Sequence, residues 1–448
     1  MNTKQITTPI VIGIISTTLC FSFGFFTDLY EYGINFLYAY IFFMLLLCYP
    51  MNVISLYLNK LSKNTGTLFD RSYLKMFSIL FVWVVVVLTS FAILNSSELS
   101  MDILKNILQH KESLQPINVT TNIINIAYIF TAIIFIITLV VYFLNHKFES
   151  LFSTLMKFGA YLILSLVIIL MLASVYKNYS SIGIQKFLTH KNVSTANHIE
   201  NIASMSFVYA ILSSFVSLTF YKNVLGDFEY DIKKIRQISI SSILFNIILS
   251  STICIIIYSA LLRQNSTHSI LTSISTSRIL DIISNNSIET YAALTVMFII
   301  MNIIIIIAGI KYTTQVNKSL LARIVFLLAP VAIALCFIKF DVLSIHFVEI
   351  PALQLMITLV FLVDIFIIGW IYDAQKLSYD ILKHTSIRLS PLFNILLRIL
   401  LPFVGFIITI GYMYPLTIVW QVAASVCCLI VYIVVGTMLH KVFNKRRY

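Results

Sequence analysis

Charge is what this 448-residue sequence has least of. Only 11% of its residues are charged, against 59% hydrophobic, and the mean hydropathy is +0.96. Soluble domains carry roughly a quarter charged residues, so this composition excludes an ordinary water-soluble fold. Cysteine is sparse too, and Cys20, Cys48, Cys254, Cys336, Cys427 and Cys428 show neither metal-ligand nor redox spacing. There is no helical His pair, no nucleophile elbow and no glycine-rich phosphate loop, so the sequence does not read as an enzyme. Most of the eight His are dispersed over loops, which gives no metal cluster and implies no organic cofactor. No low-complexity stretch, heptad array or short tandem repeat interrupts the chain.

What is present is a series of apolar runs near the roughly 20 residues that cross a bilayer. Twelve are counted, at about 8–26, 34–58, 73–94, 121–144, 151–176, 203–221, 239–262, 289–310, 320–338, 351–372, 391–413 and 415–440. Their length and composition predict an all-α polytopic membrane protein, a single domain over 1–448. A β-barrel would show short alternating strands instead. No cleavable signal peptide is expected, since the first run leads straight into the second. Placing the N-terminus in the cytoplasm puts more than twice as many Lys and Arg on that side as on the other. The positive-inside bias then predicts both termini inside and accounts for the formal net charge of +12 without a nucleic-acid partner. Frequent Ile and Asn suggest a bacterial plasma membrane. The connection 373–390 has helical spacing at Tyr379, Leu382 and Ser386, which predicts a helix along the inner surface. Short helices are expected on the outer face around 270–283.

Polar residues inside apolar spans mark candidate sites, because a bilayer penalises them. Ser16-Thr17-Thr18 interrupts the first span, Ser213-Ser214 the sixth and Asp364 the tenth. The first and sixth spans echo each other, with hydroxyl pairs followed by aromatics alternating with small residues. Helices five apart that share such a pattern suggest an inverted repeat, about 8–176 and 203–372, with two accessory helices at about 391–440. In such transporters the first helix of each repeat is broken at the substrate site. The other reading is that the hydroxyls bond back to their own helix.

Several stretches carry a resemblance. Gly33-Ile34-Asn35-Phe36-Leu37-Tyr38-Ala39-Tyr40, then Pro50, resembles the second helix of the neurotransmitter:sodium symporter family. Asp364 followed by an apolar run to Trp370-Ile371-Tyr372 resembles its tenth helix, and Arg398 four residues before Pro402 its eleventh. Asn246 with Ser250 is similar to an Asn-x-x-x-Ser pattern in its seventh. The sequence departs from the family in helix one, where Cys20 replaces an asparagine and Phe23 an arginine. It departs again at Ser55, in place of a glutamate, and at Phe81, in place of a tyrosine.

The resemblance implies a secondary active transporter that carries an amino acid or similar zwitterion with sodium by alternating access. It implies a substrate pocket of Ser16, Thr17, Phe81, Ser213, Ser214 and Phe215. Backbone carbonyls at Gly13, Ile15 and Ser16, with Asn246 and Asn302, would hold sodium once helix one unwinds. Tyr40 and Ser250 would meet chloride. Asp364 and Arg398 are expected as an intramembrane charge pair, since at about 1.5 Å per residue they reach one depth in neighbouring antiparallel helices. The alternative reading has Asp364 carry a proton, giving a proton-coupled or sodium-independent permease. A non-transporting sensor or scaffold with the same fold is the reading from a different class. The small-molecule substrate and the lipid bilayer are the expected partners.

Overall fold

The computed structural model describes residues 3–22, 25–65, 82–100, 149–176, 195–216, 231–261, 288–316, 320–339, 351–385, 387–413 and 418–445, with a few positions between 129 and 140. The regular elements among them are all helical. In chain order they are α1 (Thr3–Ser22), α2 (Phe25–Tyr32), α3 (Ile34–Phe43), α4 (Tyr49–Thr65), α5 (Val82–Ser100), α6 (Glu149–Tyr176), α7 (Thr195–Ile211) and α8 (Ile235–Leu261). They continue as α9 (Ile288–Val316), α10 (Leu320–Lys339), α11 (Pro351–Phe366), α12 (Ala374–Thr385), α13 (Leu392–Ile395), α14 (Leu401–Met413) and α15 (Ile418–Lys445).

Seven helices among the described residues are long and apolar enough to cross a membrane, and four shorter ones are apolar. They fall on the expected spans, with one shift: the third, expected to stop near 94, stays helical to Ser100. The span expected at 121–144 and the outer helices expected around 270–283 lie largely outside the described residues. The final span faces outward with Val419, Trp420, Ile430, Val431 and Met438, an apolar surface suited to hydrocarbon.

The centre of the bundle is built by α1, α3, α4, α7, α8 and α9. α1 lies along α8 and also meets α9 and α6, while α3 lies along α7. Gly13 permits the first of these approaches. A Cβ there would stand 3.0 Å from both Phe245 Cδ1 and the Ser242 carbonyl oxygen. Gly33, at φ 66°, ends α2 and turns the chain into α3, with its N–H donating to the Leu29 carbonyl at 2.8 Å.

The expected break in the first helix at Ser16 is not there. α1 runs unbroken from Thr3 to Ser22. The cause is local: Thr17 Oγ1 donates to the Gly13 carbonyl at 2.7 Å and Thr18 Oγ1 to the Ile15 carbonyl at 2.6 Å. The hydroxyls thus bond back and hold the turn they were expected to open. The sixth span does not break within its described residues either. It widens into a π-helical turn, Leu212–Val216, that contains Ser213 and Ser214.

Among the described residues three further π turns occur, at Met44–Cys48, Ile367–Ile371 and Leu396–Leu400. They associate in pairs, Met44–Cys48 against Leu212–Val216 and Ile367–Ile371 against Leu396–Leu400. π turns mark functional or adjustable points in helices, and each pair carries a polar centre described below.

The helix expected after the tenth span is α12. Tyr379 and Leu382 are exposed on it, Ala374, Leu377, Ile381 and Thr385 are buried, and Ser386 lies outside the described residues.

Candidate functional site

Four helices contribute to one buried polar network. Tyr40 comes from α3, Thr17 and Cys20 from α1, Ser213 from the π turn after α7, and Asn246 from α8. Tyr40 Oη lies 2.8 Å from Ser213 Oγ and 3.5 Å from Asn246 Oδ1. Ser213 Oγ lies 2.7 Å from Cys20 Sγ, and the Cys20 thiol donates to the Tyr209 carbonyl at 3.2 Å. Thr17 Oγ1 is 3.1 Å from Asn246 Oδ1. Each of these side chains is essentially inaccessible to solvent.

Counting protons orients the network. The single Thr17 hydroxyl proton is already given to Gly13, at the shorter distance. The Cys20 thiol proton goes to Tyr209, and Tyr40 Oη and Ser213 Oγ share one hydrogen bond between them. Thr17 is then left as an acceptor toward Asn246. An amide's oxygen and nitrogen are told apart by their partners. The pattern therefore turns the Asn246 amide so that Nδ2 faces Thr17. The amide atom that lacks a partner, Nδ2 before this turn, becomes the oxygen. The network as a whole then presents one uncommitted acceptor at its centre.

A lid of aromatic rings covers this network. The Phe25 ring stacks on Phe21 at 5.1 Å and meets Tyr40 at 4.8 Å, Phe36 at 5.2 Å and Tyr209 at 5.2 Å, the last three edge-on. One helical turn past Phe25, the Asp28 carboxylate is 1% exposed and accepts a 2.7 Å hydrogen bond from the Tyr209 hydroxyl. Asp28 lies in the first turn of α2, where a helix N-terminus favours negative charge.

Several expected site residues fall elsewhere. The Gly13 and Ile15 carbonyls are engaged by Thr17 and Thr18 within an intact helix, so they do not open toward a cation. Ser16 is buried in the same helix. Ser250 donates to the Ile247 carbonyl of its own helix at 3.1 Å, and Tyr40 meets Ser213 instead. Ser214 donates back to the Ala210 carbonyl at 2.7 Å. Asn302 is buried on α9, and its Oδ1 has no partner among the described residues. Phe81 and the Phe215 side chain lie outside the described residues.

The Asp364–Arg398 pair is not formed. Arg398 Nη2 instead meets Asp373 Oδ1 at 2.6 Å, its Nε donates to the Gly369 carbonyl at 2.8 Å, and its guanidinium lies 5.0 Å from the centre of the Trp370 indole. The π turn containing Gly369 frees carbonyls that an α-helix would use, and this draws Arg398 toward the helix end. His440 Nδ1 lies 3.1 Å from the Trp370 carbonyl, which adds α15 to the cluster. Asp364, 7% exposed, makes no ion pair among the described residues.

Asp28 and Tyr209 had no part in the sequence reading. Asp28 fell between two counted spans and so looked like a loop residue, and Tyr209 was one apolar-span aromatic among many. Its spacing of one turn from Ser213 was the available signal.

No protein-family model matches this chain, and no curated protein matches it. Among solved structures it is similar to MhsT in complex with L-phenylalanine, with a TM-score of 0.61 at 13% sequence identity, over 90% of this chain and 98% of that one. MhsT is a transporter of neurotransmitter:sodium symporter fold. The chain is therefore an all-α integral membrane protein with the fold of that transporter.

Proposed function

We propose that this protein is a secondary active transporter that moves an amino acid or related small zwitterion together with sodium by alternating access. One observation carries the reading: the proton count at the crossing of α1, α3, α7 and α8 leaves the buried Asn246 amide oxygen as an uncommitted acceptor. Its likeness in fold to MhsT, solved with L-phenylalanine, supports the substrate class. A buried acceptor favours a cation or an N–H donor, and hard cations take oxygen ligands. Asn246 Oδ1 would anchor the ion, with the Thr17 hydroxyl next to hand. This set relies on side chains, because the carbonyls of α1 are occupied. The proposed coupling ion is therefore a cation. Asn302, buried with an unpartnered oxygen, is a candidate for a second one. The protein would lie in a bacterial plasma membrane with both termini in the cytoplasm, its two repeats moving against each other.

The test is uptake of a radiolabelled amino-acid mixture into proteoliposomes with and without an inward sodium gradient. Sodium-stimulated accumulation that Asn246→Ala reduces at least tenfold is the expected result. Folded protein that binds solute without flux would instead indicate a sensor or scaffold. A proton-coupled permease is the second reading, and Asp364 favours it: the carboxylate is buried in its span and Arg398 is engaged by Asp373. Accumulation driven by an inward proton gradient, with no sodium response, would select it.

A further inference from the structure

We infer that Asp28, with the rings of Phe25, Phe36, Tyr40 and Tyr209, forms the subsite for the ammonium group of the transported solute. The inference rests on the transport reading and specifies which chemistry its substrate must carry.

Three observations converge. The first is the carboxylate itself. Among the described residues three charged side chains are buried, Asp28, Lys311 and Asp364, and Asp28 bonds the hydroxyl of Tyr209, whose carbonyl belongs to the polar network. Its Oδ2 is held by the Tyr209 hydroxyl at 2.7 Å, a donor that an ammonium group can replace with a stronger, charge-assisted bond. The second is the rings. Phe25, one turn before Asp28, meets Tyr40, Phe36 and Tyr209 at 4.8–5.2 Å between centroids. These rings close water out from around the carboxylate, which strengthens its attraction for a positive group. The third is the state of α1. Its carbonyls at Gly13 and Ile15 already accept from Thr17 and Thr18, so a positive group in this region needs a side-chain partner.

The subsite is continuous with the network below it. Tyr40 presents its ring to Phe25 and its hydroxyl to Ser213, and Tyr209 bonds Asp28 by its hydroxyl and Cys20 by its carbonyl. A zwitterion would thus place its ammonium at Asp28 and its carboxylate toward a cation anchored by Asn246. The Tyr209 hydroxyl occupies the ammonium's place, and the solute must displace it to bind.

The experiment uses purified full-length protein in nanodiscs, with binding read by ligand-induced thermal stabilisation. The probes are matched sets sharing one side chain, for example leucine, 3-methylbutylamine and 4-methylpentanoate, repeated from a methyl to a benzyl side chain. The expected result is binding by at least one amine and its parent amino acid but not by the matching carboxylate. Asp28→Asn should weaken that binding at least tenfold. Tyr209→Phe removes the competing hydroxyl and should tighten it several-fold, which keeps the test decisive if Asp28→Asn does not fold. Equal binding of a carboxylate-only probe, no binding by any amine of the series, or wild-type affinity in a folded Asp28→Asn protein would overturn the subsite. The two readings fail separately: uptake of an amine-free solute preserves transport and removes the subsite, whereas Asp28-dependent amine binding without flux preserves the subsite and removes transport.

Discussion

Arg398 reaches out of one π turn to Asp373 at the end of another, with Nη2 and Oδ1 2.6 Å apart. Asp373 has φ 79°, a left-handed backbone position unusual for anything but glycine, asparagine or aspartate. The same carboxylate oxygen accepts from the Gln375 N–H at 2.9 Å, so it starts α12 while it receives the arginine. One residue therefore ends the tenth span, begins the surface helix and ties both to the eleventh.

Breaking this contact should loosen all three elements together. Both side chains are about one-fifth exposed, so screening is partial, and loss of a charge-assisted bond costs on the order of 1–3 kcal/mol. Arg398→Ala and Asp373→Asn should each lower the apparent unfolding temperature in detergent, and the double variant should lose less than their sum. Arg398→Lys should not restore stability, because a lysine cannot meet the Gly369 carbonyl and the carboxylate with one planar fork. Strictly additive losses would mean the pair does not couple the helices.

Tyr40→Phe keeps the ring against Phe25 and removes only the hydroxyl between Ser213 and Asn246. Interhelical hydrogen bonds in membranes average about 0.6 kcal/mol, so folding should survive. With the Tyr40 hydroxyl gone, the Asn246 amide loses one of its two side-chain contacts. The expected outcome is a weakened sodium dependence of uptake at near-normal thermal stability. An unchanged sodium titration curve would show that the amide needs no help from Tyr40.

The membrane architecture was legible because a bilayer imposes its length and apolarity on each span separately. Thr17, Tyr40, Ser213 and Asn246 were legible for a related reason, being polar where polarity is expensive. Their mutual arrangement was not. The resemblance set Ser250 beside Tyr40 at a chloride site, but a serine inside a helix can satisfy itself on its own carbonyls, as Ser250 does with Ile247. The same self-bonding by Thr17 and Thr18 defeated the expected break in α1. The Asp364–Arg398 pairing assumed uniform α-helical rise and overlooked Asp373 as a competitor. The π turns at Ile367–Ile371 and Leu396–Leu400 alter which side chains face each other, and neither has a signature in composition.

Asp364→Asn separates the two coupling ions. The amide fills nearly the same volume and cannot ionise, so the variant should fold and keep its sodium-driven uptake. Any acceleration of uptake by an inward proton gradient should disappear. Proteoliposomes loaded with a pH-sensitive dye would read both. A proton response that survives the substitution would exclude Asp364 as the carrier.

Gly13→Ala tests the closest approach at the heart of the bundle. The new methyl would stand 3.0 Å from Phe245 Cδ1 and 3.0 Å from the Ser242 carbonyl oxygen. The phenyl ring is able to rotate aside, but the carbonyl belongs to the backbone of α8 and moves only with its helix. α1 and α8 must therefore separate by a few tenths of an ångström, and small residues at membrane-helix crossings exist to avoid this. Overpacking of this kind costs typically about 1–3 kcal/mol. The separation would also lengthen the 3.1 Å contact between Thr17 and Asn246, one turn along the same pair of helices. Gly13→Ala should accordingly lower both thermal stability and sodium-dependent uptake, while Phe245→Leu in the same background restores only part of each because the Ser242 contact remains. Full recovery by Phe245→Leu would assign the whole strain to the ring and leave the backbone approach without consequence.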